Sequence, residues 1–340
     1  MALVALIALA VVIWFAVEIF QPFHGSGGRP VLVTIPDHSS VGTVADRLSR
    51  AGVIGSTFFF KIRVALEGDG GQLHAGTYKL RKDMSYGAVL SVLKAGPPPP
   101  RVTAVTIIPG ETRRHLDELL RKQGVAGSYY ADTRSSALLD PSAYGAPAHT
   151  DSLEGFLFPD TYQLREPISL PKLVTYQLEA FKQQFSTVRF SYAQAHHLTR
   201  YDVLIIASMI VGEAQKPSDQ AKVASVIYNR LARHMPLQID ATTRYATGNY
   251  TQPLTQAQLN SPSPYNTRIH PGLPPTPIDS PGLAAIQAAA HPAHTDYLYF
   301  VVKPCANGAL AFASSYKQFL AEQQAYQQAR ARLHRSPTHC

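Results

Sequence analysis

Residues 199–230 read TRYDVLIIASMIVGEAQKPSDQAKVASVIYNR, and the apolar run inside them closes on a single carboxylate, Glu213. Thr199 followed by Asp202 is a helix start of the S/T-x-x-D/E kind, and nothing from Val203 to Val211 breaks a helix. So apolar a run reads as a buried helix. Glu213 stands three and four residues beyond Ile210 and Met209, so its side chain shares their face. Burial and the negative end of the helix dipole both disfavour the carboxylate, which raises the pKa. A carboxyl that keeps its proton near neutral pH can hand it to a leaving oxygen, as acid cleavage of a glycosidic bond requires. The competing reading is a solvated Glu at a frayed helix end. A second helix follows from Pro217 to Arg233, with Pro217 in its first turn and Val223, Ala224, Ile227 and Leu231 inward.

Working outward, 340 residues leave room for two or three domains with real cores. Lys plus Arg number 31 against 23 Asp plus Glu, a net charge of +8 that suits an anionic lipid surface, a cell-wall polymer or nucleic acid. A nucleic-acid partner is excluded on the motifs, since there is no recognition helix, no zinc-ligand spacing and no basic run interleaved with aromatics. His291-Pro-Ala-His294 is not a metal pair, because Pro292 breaks the helix and no acidic ligand is spaced with it. Cys305 and Cys340 lie far from any CxxC pattern; they could pair outside the cytoplasm, but with Cys340 the last residue of the sequence the expectation is free thiols.

Ala2 to Val17 is uncharged and almost wholly apolar; continued to Gln21 as a helix it extends roughly 30 Å, about one hydrocarbon core. This reads as one transmembrane helix, residues 1–23 forming the anchor, with Glu18 at the outer interface beside Trp14, Phe20 and Pro22. A cleaved signal peptide is the rival, but no small-x-small site follows before GSGG. HGSGGR (24–29) is a flexible linker. Then VLVTIPDHSSVGTVADRLSRAGVI gives a strand ended by Pro36, a cap at Ser39 or Ser40, and a helix whose seam runs through Val44 and Leu48 to a stop at Gly52. The pattern recurs at 105–125, where Ile108-Pro109, Leu120 and Gly124-Val125 match Ile35-Pro36, Leu48 and Gly52-Val53. Between the copies, 74–96 is another strand, turn and helix. Such βα units resemble LysM modules, which bind amino-sugar polymers; the alternative is a repeated packing unit without ligand.

PPPP at 97–100 is a stiff spacer. Residues 129–150 read as helices and a surface loop, and LEGFLFPDTYQL (153–164) sets Glu154, Asp160 and Tyr162 among large aromatics, where carboxylates need partners or a cleft. Asp240 falls in a loop or short helix. Residues 253–281 hold prolines too frequent for a helix or a central strand, a fixed extended segment fit for the wall of a polymer-binding groove or for a rigid cover. The fold class expected is α+β: anchor, LysM-like βα region at 31–100, second βα unit with connecting segment at 101–150, and a mixed α+β catalytic domain at 151–335.

HAGTYKL, LEGFLFPDTY, ASMIVGE, KVASVIYNRL, MPLQIDATTRYA, SPYNT, GLPPTPI with SPG, and AIQAAAHPAHTDYLYFV occur in that order behind the apolar N-terminus. From about Val31 to Val302 the chain thereby resembles the YceG-like endolytic murein transglycosylases. The resemblance implies a single-pass enzyme of the cytoplasmic (inner) membrane, its catalytic domain outside the cytoplasm. Such an enzyme cuts peptidoglycan glycan strands internally and leaves anhydro-muramic ends, so ending nascent strands beside a peptidoglycan synthase. It implies Glu213 as the one catalytic acid and base, with no metal or cofactor. Glu154, Tyr162, Asn229, Asp240, Tyr265 and Asn266 are the candidate polar groups of the cleft. Two departures stand out. The family's two glutamates around a lysine are here Val211-Gly212-Glu213, and its C-terminal His, Glu and His fall on Leu310, Gln318 and Phe319. A lysozyme-type hydrolase would need Asp240 or Glu154 as a second carboxylate. A silent peptidoglycan-binding scaffold would need none.

Overall fold

The computed structural model describes residues 1–24, 27–68, 72–99, 101–338 and 340. The HGSGGR linker and the PPPP spacer fall in part outside these, at 25, 26 and 100. The chain divides into two compact units, Met1–Pro100 and Arg101–Cys340.

The first unit begins with helix α1 (Ala2–Phe20), long and apolar enough to cross a membrane. Strand β1 (Pro30–Ile35), helices α2 (Val41–Arg50) and α3 (Thr57–Glu67), strand β2 (Gly76–Arg81) and helix α4 (Tyr86–Ala95) follow. Alternation along β1 buries Val33 and Ile35, and β2 pairs antiparallel to it with Thr34 opposite Thr77. Helices α2, α3 and α4 each start on a serine whose hydroxyl accepts an amide of the first turn: Ser40 from Thr43, Ser56 from Phe59, Ser85 from Ala88. Helix α3 was not read from the sequence, although Ser56 caps it and Gly68, in the left-handed region, ends it.

The second unit opens with the same plan. Strand β3 (Val102–Thr106), helices α5 (Arg113–Lys122) and α6 (Tyr129–Asp132), a 3₁₀ turn at Pro141–Tyr144, strand β4 (Thr161–Arg165) and helix α7 (Leu170–Ser186) come in order. β4 pairs antiparallel to β3 with Thr106 opposite Thr161. The repeat therefore runs much further than the strand and helix seen in sequence. Thr34 and Thr77 bond through their hydroxyls at 3.0 Å, as do Thr106 and Thr161 at 3.0 Å. Tyr78 donates to the carbonyl of His74 at 2.6 Å, as Tyr162 does to that of Phe158 at 2.6 Å. GTYKL at 76–80 and DTYQL at 160–164 are thus the same position of two copies. Because β3 pairs with β4, the 101–150 segment and the chain after 151 share one sheet and lie in one unit.

The rest is helical: α8 (Ser191–Ala195), α9 (Arg200–Glu213), α10 (Pro217–Ala232), α11 (Asp240–Thr247), α12 (Gln256–Leu259) and α13 (Leu283–Ala290), then hairpin β5 (Tyr299–Val302) with β6 (Leu310–Ala313), and α14 (Tyr316–Leu333). Thr199 and Asp202 form the expected capping box of α9, and every residue from Val203 to Ile210 is buried. Helices α10, α11 and α13 pack around it. The proline-rich 253–281 segment holds no helix beyond the one turn of α12, which Thr255 and Gln258 cap reciprocally, and it is not extended throughout, since it turns again at 264–265 and 267–269. Its docking explains Gly155, whose φ is +87° and where a Cβ would come within 2.6 Å of Pro277.

The cysteines correct the sequence reading: Cys305 and Cys340 form a disulfide, with Cα atoms 4.9 Å apart. Helix α14 leads the tail back toward the hairpin loop, where the Cys305 amide donates to the carbonyl of Pro337 at 2.7 Å, so the terminus is pinned. The three C-terminal departures also serve the fold. The Leu310 side chain joins the hydrophobic core, Gln318 completes the capping box of α14, and Phe319 stacks on Tyr299.

Candidate active site

Glu213 is the last residue of α9, where the dipole argument places negative charge at a disadvantage. It retains partial access to solvent, yet the protein around it pushes its carboxyl up to about 7 from an ordinary 4.5. Burial is the main cause; the Asp240 carboxylate adds to it, whereas the Ala241 amide, Arg244 and Arg268 oppose it. The amide is a contact the sequence did not disclose. Ala241 lies in the first turn of α11, and its N–H donates to Oε1 of Glu213 at 3.2 Å. The two helix ends meet because residue 212 is glycine: a Cβ there would stand 2.6 Å from the Cβ of Ala241. Glu213 thus sits between a helix C-terminus, which holds its proton, and a helix N-terminus, which steadies the anion left when the proton departs. That is the behaviour required of a group that gives a proton and takes one back.

A pocket of about 410 Å³ opens beside this junction, walled by Val211, Gly212, Ala241, Arg244, Tyr245 and Asp279 among others. A second, of about 370 Å³, shares Pro109, Gly110, Thr112 and Tyr250 with it, so the two form one groove. The β3–α5 turn is its far wall. The repeat unit at the start of this half of the chain thereby supplies part of the site itself.

Of the residues read as cleft groups, two adjoin Glu213 or this groove. Asp240 opens α11, is paired with Arg268 and acts on Glu213 through its charge. Glu154 is buried; it accepts the Arg113 amide at the start of α5 at 3.1 Å and the Tyr245 hydroxyl at 3.3 Å, and so ties the β3–α5 turn to α11. Its carboxyl is pushed up to about 7 by burial, against the pull of Arg113.

The remaining four have their polar groups engaged inside the protein. Tyr162 spends its hydroxyl on Phe158, as its counterpart Tyr78 does on His74. Asn229 donates to the carbonyls of Thr295 and Tyr297 and borders a different pocket, with Tyr192 and His294. Asn266, fully buried, donates to the carbonyls of Leu259 and Ser261. Tyr265 bonds Thr276 through its hydroxyl at 2.8 Å. Sequence reading passed over Arg244, Tyr245, Tyr250 and Asp279. Tyr245 lay within the MPLQIDATTRYA string, and Asp279 was the lone carboxylate between Ile278 and a Ser-Pro pair.

The raised carboxyls set a pH dependence. Glu154 and Glu213 hold protons up to about 7 instead of 4.5, so between those values the folded chain binds more protons than the unfolded one. The associated stability is complete below the unfolded value and is lost as pH rises through the folded one. The melting temperature is expected to fall between about pH 5 and about pH 8, and Glu154→Gln, neutral throughout, should shrink that fall. Calorimetry showing stability rising across this range would contradict the assignment.

The YceG-like family matches residues 33–325 of this chain. An "Endolytic murein transglycosylase" of Bacillus subtilis (strain 168) is 30% identical over 318 residues, covering 88% of this chain and 86% of that protein. A protein of the same name from Streptococcus pneumoniae (strain ATCC BAA-255 / R6) is 30% identical over 319 residues, which cover 84% of this chain and 57% of that protein. The crystal structure of a yceG-like protein from Listeria monocytogenes superposes with a TM-score of 0.56 at 27% identity, covering 86% of this chain and 99% of that one.

Proposed function

The chain belongs to the YceG-like family, and we propose that it is an endolytic murein transglycosylase, a lyase that cuts peptidoglycan glycan strands between N-acetylmuramic acid and N-acetylglucosamine. The observation that carries the reading is Glu213, an acid held near neutrality at the end of a buried helix beside a groove. Protonated Glu213 gives its proton to the bridging oxygen as the bond from muramic C1 to that oxygen breaks. Its carboxylate, steadied by the Ala241 amide, then takes the proton of the muramic C6 hydroxyl while O6 bonds to C1. The product carries a 1,6-anhydro ring, and Glu213 is protonated again. No water enters the sum.

Two observations favour one acid over the two carboxylates of a hydrolase. Asp240 is tied to Arg268, and Glu154 caps α5 and holds Tyr245. The β1–α2–α3–β2 and β3–α5–α6–β4 units fit LysM-like modules that bind the glycan strand. Helix α1 fits a membrane anchor that keeps the enzyme beside a synthase extending the strand, which it would end. The test is product analysis of purified sacculi treated with the protein. Anhydro-muramic ends without new reducing muramic acid are expected. Reducing ends would assign a hydrolase, and no cleavage a scaffold.

A further inference from the structure

Asp279 is a buried carboxylate in the groove that the proton transfers above do not use. It is 5% exposed, and its Oδ1 is buried with no hydrogen-bond partner among the described residues. The backbone on either side of it is fixed. The Ile278 amide donates to Ser208 of α9 at 3.0 Å, the Ser280 amide to the carbonyl of Glu111 at 3.0 Å, and the Gly110 amide to the carbonyl of Ser280 at 3.0 Å. The side chain is therefore held toward the pocket that Val211, Gly212 and Ala241 share with the surroundings of Glu213. A buried polar atom without a partner destabilises a fold, and such a cost persists where a ligand supplies the partner.

The chemistry of the surroundings narrows the ligand. Burial, then the charges of Glu154 and Glu111, raise the Asp279 carboxyl well above the usual range, which favours its protonated form, a hydrogen-bond donor. Val211, Ile278, Tyr245 and Tyr250 line the same pocket and offer apolar surface on which a methyl group can rest. A donor beside such apolar surface fits a neutral carbonyl bearing a methyl. Resting on the glycan-cleaving reading above, we propose that Asp279 determines specificity for an acetamido group of the strand, its carboxyl donating to the acetamido carbonyl oxygen while the methyl rests on Val211 and Ile278.

The test compares Asp279→Ala and Asp279→Asn with the wild-type full-length protein in detergent, using the N-acetylglucosamine tetramer and the glucosamine tetramer as binding probes and sacculi as substrate. Asp279→Ala should bind the acetylated tetramer about tenfold more weakly and raise KM on sacculi by a similar factor, with little change in kcat. Its affinity for the glucosamine tetramer should not change. It should also melt higher by about 2–6 °C, because the orphan oxygen is gone, a gain that a structural role would reverse. The amide of Asp279→Asn can donate as the protonated acid does, so it should restore most of the affinity. Wild-type affinity in Asp279→Ala, a lower melting temperature in that variant, or an Asp279→Asn protein as impaired as Asp279→Ala would each overturn the proposal. A wild-type protein that binds the acetylated tetramer through Asp279 yet releases no anhydro-muropeptides would sustain this inference and remove the reaction assigned above.

Discussion

Glu213→Gln is expected to lower the release of anhydro-muropeptides by about 10⁴-fold or more, because general acid–base catalysis contributes about 10²–10⁴-fold and the proposed reaction assigns both transfers to one group. The amide keeps the volume of the acid and an oxygen that can still accept from the Ala241 N–H, so the meeting of α9 and α11 survives. Sacculus binding and the melting temperature should therefore change little. In the wild type the first step needs the protonated acid. Since Glu213 loses its proton at about 7, kcat/KM should decline above that pH, and the residual rate of Glu213→Gln should lack this limb. Asp240→Asn, which removes a charge acting on Glu213 and a partner of Arg268, should cost far less. A folded Glu213→Gln protein keeping more than about a tenth of the rate would overturn the assignment, and a dead Asp240→Asn would move the chemistry there.

The acid itself was legible because its two determinants are local. An apolar helix with a capping box, and a carboxyl three and four residues beyond apolar positions, are properties of one uninterrupted segment. What surrounds it was not local. The Ala241 amide comes from a helix start 28 residues away, and only the missing Cβ of Gly212 lets it approach. Asn229, Asn266, Tyr162 and Tyr265 are residue types that hold sugars, but the same groups serve equally well to hold backbone, and which use prevails depends on carbonyls that converge only in the folded chain. The repeat was half visible. Its first strand and helix are adjacent in both copies, whereas in the second copy the chain from 133 to 160 separates α6 from β4 and hides that DTYQL answers GTYKL. The disulfide escaped for a similar reason. A cysteine 35 residues from its partner is paired by the return of α14, which no spacing rule encodes.

Replacing Arg113 should produce the largest loss of stability from one side chain. It is 4% exposed at the first turn of α5, and each arm of its guanidinium is engaged: Nε donates to Thr133, one terminal nitrogen to Ser152 and the other to the carbonyl of Tyr130, all at 2.7 Å. The ring of Tyr130 lies 4.7 Å from the guanidinium carbon. Its own amide meets Glu154, whose other oxygen holds Tyr245 on α11. The residue therefore joins α5, α6, the 151–160 segment and, through Glu154, the helix that presents Ala241 to Glu213. Arg113→Ala would strip Thr133, Ser152 and the Tyr130 carbonyl of their bonds to the guanidinium and remove the cation that opposes the burial of Glu154. Losing one partner of such a buried charged network costs about 3–5 kcal/mol, which in a unit of this size lowers the melting temperature by roughly 10 °C. Arg113→Lys keeps the charge but cannot reproduce the three-armed geometry, so it should recover only part of the loss. The deficit should be smaller near pH 5, where Glu154 is neutral and needs no counter-charge, than near pH 8, where the unfolded chain ionises freely and the folded one must ionise an isolated buried acid. Calorimetry at the two pH values decides the matter. An Arg113→Ala protein melting within about 2 °C of wild type at both would mean that this hub does not hold the groove together.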